Sequence, residues 1–317
     1  MEVGVESRRW TASRMPRLVF AIAILIVSAA AAQHFVGWRS LVYPWAVIDD
    51  PFALALAVIL FSATYALRAL RLFRYFELRT GFSSCLRVLV QHTLLINILP
   101  MNAGELAFPA LMKSHFDVPL RRSLPALLWL RALDFYALVS IGLLAVGMRS
   151  GLVVLAPALV WLALPFVAFR LSRAITPSTA EPARKLERLT LDLLAAVPKR
   201  TAAFIENWAL TMINWALKIA VFALIIDTFS ASGYVASLAG AVGGELSAVL
   251  PIQGFARIGT YEAGVVAAMR PFGIGPAEAL TGAVNLHLLV LGVSIVCALL
   301  SLLIPKPRLE EVGVQAR

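Results

Sequence analysis

Long apolar runs separated by short charged stretches set the layout of the 317-residue chain. Runs at 18–36, 51–70, 123–147, 152–169, 208–229 and 281–304 each have the length of a helix that crosses a bilayer. Two further apolar stretches are broken internally: 86–112 by Pro100, and 234–269 by Pro251, Gly254 and Gly259. Each of these reads either as one kinked crossing or as a hairpin that enters and leaves on one side. Charge decides between them. If 86–112 crosses, Lys113, Arg121, Arg122 and the seven Lys and Arg between positions 170 and 200 all fall outside. If it returns, they fall inside, as the positive-inside bias requires. Its first arm, 88–99, is then a helix of about 18 Å, too short for a hydrocarbon core of about 30 Å. The second broken stretch must begin and end outside to leave Lys306 and Arg308 inside, an inference resting on fewer charges.

The pattern therefore predicts an all-α polytopic membrane helix bundle of about six spans plus two re-entrant helical hairpins. It forms one membrane domain over 1–317, with halves at about 18–147 and 152–304 and a cytoplasmic connector at about 170–207. In the connector, Leu186, Leu189, Leu193, Leu194 and Val197 recur at helical spacing opposite Arg184, Lys185 and Arg188. That is the pattern of a helix on the membrane surface, and a solvated connector is the other reading. Arg8, Arg9, Arg14 and Arg17 precede the first run and place the N-terminus in the cytoplasm, as the C-terminus is placed. The small residues Ala29 to Ala32 before Gln33 also fit a cleavage site, so removal of the first segment stays open.

Composition supports the same class. With 60% hydrophobic and 15% charged residues and a mean hydropathy of +0.84, the chain lacks the polar material to cover a soluble surface. The net charge of +10 is scattered between apolar runs, which argues against nucleic acid. Cys85 and Cys297 offer neither a disulfide framework nor metal-ligand spacing, and the four histidines are scattered. No metal, cofactor or nucleotide loop is expected, and no catalytic motif of the Gly-x-Ser-x-Gly, His-Glu-x-x-His or Cys-x-x-Cys type is present.

The two halves share landmarks in order. Leu99-Pro100, Gly104-Glu105, Phe116-Asp117-Val118-Pro119, then Arg131 and Asp134 are followed in the second half by Leu250-Pro251, Gly259 to Glu262, Phe272-Gly273-Ile274-Gly275, then Asn285 and His287. Glu105 to Arg131 spans 26 positions and Glu262 to His287 spans 25. An internal duplication with three crossings per half forces the copies to face opposite ways, the inverted repeat of many transporters.

Seven charged residues sit in the apolar segments: Glu105, Arg131, Asp134, Lys218, Glu245, Arg257 and Glu262. Unpaired at helix centres, they would cost about 2.5 to 3.5 kcal/mol each, so they must face one another, water or a polar ligand. Arg131 and Asp134 are three apart and share a helix face. Glu105 is a second candidate partner for Arg131, and Arg257 for Glu262. Glu105 and Glu262 each follow a Pro and Gly break, where freed backbone is tolerated beside protein or a water-filled cavity, and suit proton exchange or headgroup contact. Lys218, with Trp208 and Trp215 on its helix, reads equally as a core cation. Asn97, Asn102, Tyr261, Asn285 and His287 are supporting polar residues, and Gly240 with Gly244 has the small-xxx-small spacing of close helix packing.

Leu-Pro-x-x-x-Gly-Glu at Leu99 to Glu105, Arg131 with Asp134, and Gly-x-x-x-x-Gly-x-x-Glu at Gly254 to Glu262 resemble the lysylphosphatidylglycerol synthase transmembrane-region family. These are flippase-like membrane proteins, and the resemblance covers nearly the whole chain in layout. It implies movement of a lipid or lipid-linked molecule, with Glu105, Arg131 and Glu262 along the headgroup path; relatives occur beside hopanoid synthesis genes. Leu106-Ala107-Phe108 stand where the family often has a basic residue, so the resemblance carries no headgroup charge preference. The chain ends at Arg317 without the soluble aminoacyl-transferase domain of bifunctional members, so lysyl-lipid synthesis is not expected.

The expected function is thus a non-enzymatic lipid translocator for a polar, anionic headgroup in a bacterial inner membrane. Membrane lipids are its expected partners, with a second copy of the chain or lipid-biosynthesis proteins as further candidates. The alternatives are an ion-coupled transporter of a small polar solute and a non-catalytic membrane subunit of a lipid-modifying system.

Overall fold

The computed structural model describes residues 39, 43, 45–46, 50–78, 81–99, 104–174, 185–248 and 255–305. The apolar run at 18–36, Pro100, Asn102, Pro251, Gln253 and Gly254 lie outside the described residues.

Ten α-helices and no strand occur among the described residues, in the order α1 Pro51–Phe76, α2 Phe82–Ile98, α3 Ala107–Phe116, α4 Leu120–Ser150, α5 Leu155–Ala174, α6 Lys185–Ala196, α7 Thr201–Ser230, α8 Tyr234–Ser247, α9 Thr260–Met269 and α10 Pro276–Ser301. Of these, α1, α4, α7 and α10 are long and apolar enough to cross a membrane. At 20 residues, α5 spans about 30 Å and coincides with a fifth predicted run. The broken stretches fold as helix pairs, α2–α3 and α8–α9. At 17 residues or fewer, each member falls short of the bilayer core. Helix α2 begins six residues before the predicted arm.

Local chemistry fixes these boundaries. Asp50 caps α1 by accepting from Ala53 N–H at 2.9 Å, with Pro51 at the first helical position. The duplicated landmarks after α3 and α9 share one conformation. Asp117 (φ 52°) and Gly273 (φ 83°) are left-handed residues that stop the preceding turn, and Pro119 and Gly275 then lead into α4 and α10. Gly104 touches the last turn of α2, where a Cβ would meet the Ile96 nitrogen at 2.5 Å. Only glycine closes the first pair this tightly.

In the second pair the closest approach is between Gly243 and Gly264, each of whose added Cβ would fall within about 2.5 Å of the other's carbonyl. The predicted Gly240 and Gly244 lie in the same seam, against Met269 and the Tyr261 ring. Helix α6 occupies the predicted amphipathic stretch. Val197, just beyond its end, is buried with Trp129, Leu133, Phe169 and Phe204 from α4, α5 and α7. The connector is therefore packed against the bundle.

Side-chain contacts give the helix directions. Phe61 meets Phe222, Arg71 meets Thr211 and Arg74 meets Glu206, so α1 and α7 are antiparallel. Asp134 with Trp215 and Trp129 with Phe204 make α4 parallel to α7. Trp45, just before α1, bonds Asn285 while Tyr65 bonds Ser294, so α10 runs with α1. Helix α1 therefore runs against α7, and α4 against α10. Helix α2 packs on α10, and α8 packs on α4.

Candidate functional site

Polar groups converge at the middle of the bundle. Asp134 on α4 is the hub. Its Oδ1 accepts from Arg71 Nη1 at 2.6 Å and from Trp215 Nε1 at 2.9 Å, and its Oδ2 accepts from Arg71 Nη2 and Arg131 Nη1 at 3.3 and 3.2 Å. Arg71 also donates to Thr211 Oγ1 at 2.9 Å. Arg131 continues the chain to Glu105, as predicted. Four segments are joined by this relay of charge: α1, the turn before α3, α4 and α7.

The second half supplies its own pairs. Glu262 Oε1 lies 2.5 Å from His287 Nδ1, and its Oε2 accepts the Gly259 N–H at 2.7 Å. Gly259 has φ 85°, a conformation that other residues resist, and Glu262 reaches back to close the start of α9. The Gly-x-x-Glu element thus has a capping role of its own. The duplicated landmarks are bonded pairs in both halves, Glu105 with Arg131 and Glu262 with His287. Lys218 Nζ bonds Glu245 Oε2 at 2.9 Å and sits 4.7 Å from the Trp215 ring and 5.0 Å from that of Phe222.

One expectation is corrected. Arg257 is not the partner of Glu262, because Ala256 and Arg257 occupy a left-handed turn (φ 51° and 59°) that carries the side chain to the central cavity. Trp208 and Trp215 share the Lys218 helix, as expected; Trp215 lies beside Lys218, and the Trp208 ring packs on Phe166. Arg68, within the predicted run 51–70, and Arg71, just beyond it, are both inside the helix. They share a face with Phe61, Thr64 and Tyr65, and that 3–4 spacing was the signal available in the sequence.

A cavity of about 50 Å³, room for a few waters, lies at the centre. Arg68, Arg131, Lys218, Arg257, Glu245, Tyr261, His287 and Asn97 line it. Asn97 donates to Ser294 at 2.8 Å. The Tyr261 hydroxyl and Arg257 Nε are buried without a hydrogen-bond partner. Asn285, bonded to Trp45 and the Thr281 carbonyl, is not among the lining residues.

A smaller cavity bounded by Arg68, Arg71, Arg131 and Asp134 adjoins it, and Arg71 also lines a third cavity of about 620 Å³ at the end of the bundle. Five cations (Arg68, Arg71, Arg131, Lys218, Arg257) face three carboxylates (Glu105, Asp134, Glu245), beside the Glu262–His287 pair. Arg68 donates only to Thr93, at 3.4 Å, and neither it nor Arg257 forms an ion pair with a carboxylate among the described residues. No group of three His, Cys, Asp or Glu able to hold a metal occurs among the described residues.

Helices of this length around a charged centre define a polytopic α-helical membrane protein whose polar residues converge within the bundle. Residues 18–298 match the family model described as the lysylphosphatidylglycerol synthase TM region, and the chain belongs to that family. No curated protein and no solved structure matches it.

Proposed function

We propose that this protein moves a lipid with an anionic headgroup across a bacterial inner membrane, the central cavity being the midpoint of the path. The observation that carries this reading is the pair Arg68 and Arg257, two guanidinium groups on a buried cavity without a carboxylate to neutralise them. An uncompensated cation in a bilayer core is costly, and a transiting anion offsets that cost. In this reading the end of the bundle holding Arg74, Arg121, Arg122 and Arg200 faces the cytoplasm, with both chain termini on that side. The α2–α3 and α8–α9 pairs are re-entrant hairpins of an inverted repeat, entering from opposite faces.

Glu105 and Glu245 hold Arg131 and Lys218 when the cavity is empty and release them to the headgroup as access alternates. Glu262 and His287 stay paired and hold α9 against α10. The shared lining residues of the three cavities support a route from the basic end through Arg71 to Arg68 and Arg131. The reaction needs no bond to the lipid to be made or broken. Membrane lipids are the partners this requires.

Native mass spectrometry of the purified protein in mild detergent tests the reading. The wild type is expected to retain a defined anionic phospholipid, and Arg68→Gln and Arg257→Gln to retain at least about tenfold less. Retention of nothing beyond bulk lipid, with uptake of a small polar solute by proteoliposomes irrespective of their lipid, would transfer the site to solute transport.

A further inference from the structure

The cavity at the basic end has a composition of its own. It lies between the last turn of α1, the first turns of α4 and the segment joining α6 to α7, and its volume of about 620 Å³ far exceeds that of the central cavity. Arg71, Arg74, Arg121, Arg122, Lys199 and Arg200 line it, with Glu77 and Glu206. Asp134 neutralises Arg71, and Glu206 neutralises Arg74 at 2.8 Å. Four cations remain against Glu77, a net charge of +3.

We infer that this vestibule is an anion site for a group with two or more negative charges on phosphate, that is, a phosphate monoester or a diphosphate. A diester headgroup brings one charge and leaves the cavity strongly positive, whereas a monoester brings about −1.5 to −2 at neutral pH. Helix dipoles add to the charge. The N-termini of the long helices α4 and α7 both open on the cavity, and Arg200 at the cap of α7 makes no side-chain capping bond. The positive ends of both helix dipoles therefore lie at the same space.

Asn207 adds a neutral polar side chain to the wall. Its side chain lines the cavity, it is only 4% exposed, and its Oδ1 has no hydrogen-bond partner. The walls are firm. Tyr75 donates to the Ala196 carbonyl at 2.6 Å, Lys199 to the Ser172 carbonyl at 2.5 Å, and the Arg122 guanidinium sits 5.6 Å from the Phe76 ring. Arg122 is thereby aimed while its N–H edge stays open.

A basic membrane end that only attracts anionic lipid would bind many molecules with little choice of headgroup. A cavity fixed in this way binds one and chooses by phosphate charge. The assignment requires binding alone and stands whether or not the central cavity moves a lipid.

The test uses the full chain in detergent with two probes, inorganic pyrophosphate by isothermal titration and mixed micelles of phosphatidic acid or phosphatidylglycerol by native mass spectrometry. The expected result is one bound equivalent, with phosphatidic acid or pyrophosphate favoured at least about tenfold over phosphatidylglycerol. The exposed Arg121→Gln, Arg122→Gln double variant should lower that affinity at least about tenfold, while Arg270→Gln at the opposite end leaves it unchanged. Binding of phosphatidic acid without pyrophosphate assigns the site to a lipid monoester; binding of pyrophosphate without phosphatidic acid assigns it to a soluble phosphate ligand. Equal binding of phosphatidylglycerol, many equivalents, or a double variant that binds like the wild type overturns the inference. Loss of transport in a separate flipping assay leaves these binding results standing and counts against the proposed function alone.

Discussion

Asp134→Ala is expected to destabilise the protein by about 3 to 5 kcal/mol, the cost of leaving a buried charge without its partner. The Arg71 and Asp134 side chains are 6% and 7% exposed, so water cannot replace the lost carboxylate. The Trp215 N–H and one N–H of Arg131 lose their acceptor at the same time. Since Asp134 links α1, α4 and α7, the effect should appear as global loss of the folded state: a sharp fall in monodisperse protein after detergent extraction and a lower midpoint of thermal unfolding. Arg71→Met with Asp134→Leu removes both charges and should recover much of the loss, because the two residues act as one unit. A stable Asp134→Ala protein would mean that the hub is solvated and that the buried relay does not hold the bundle.

Arg68→Gln is expected to have the opposite profile, folding unchanged and translocation reduced at least about tenfold. The substitution removes a cation that no carboxylate balances, so it leaves no former partner unpaired and stability should hold or rise. It also removes one of two free guanidinium groups that would compensate a headgroup at the centre of the path. Arg257→Gln should act in the same way. Proteoliposome flipping of a labelled anionic lipid, with the thermal midpoint of the same preparations, separates the effects. Arg68→Gln with wild-type translocation would remove the central cavity from the path.

The class of fold was legible because run length and composition are enough to specify a membrane bundle. The paired landmarks were legible for a deeper reason. Glu105 with Arg131 and Glu262 with His287 are bonded, so their spacing in each half is held by contact. What escaped the sequence has particular causes. A hydropathy window ends α1 at its first arginines, yet the helix continues to Phe76 and turns Arg71 inward to Asp134. Charge alone cannot tell a loop arginine from one whose carboxylate is 63 positions away.

Glu262 was assigned the nearest cation, but Arg257 sits in a left-handed turn, where helical spacing does not give a side chain's direction. Its true partner, 25 residues on, was already marked by the duplication. Glu262 also caps α9, a role its Gly-x-x-Glu setting implies and which weakens the case for it as a free proton acceptor. Asn285 illustrates the converse: a polar residue in an apolar helix whose need is met by Trp45 and its own backbone.

The most direct test of the central claim is the accessibility of labelled headgroups to a membrane-impermeant reductant in proteoliposomes containing the wild-type protein. Labelled phosphatidylglycerol and phosphatidylcholine are compared at equal protein density. The account predicts that inner-leaflet phosphatidylglycerol becomes accessible while phosphatidylcholine stays protected, as in protein-free vesicles. Equal exposure of both lipids, or protection of both, would contradict movement of an anionic headgroup past Arg68 and Arg257.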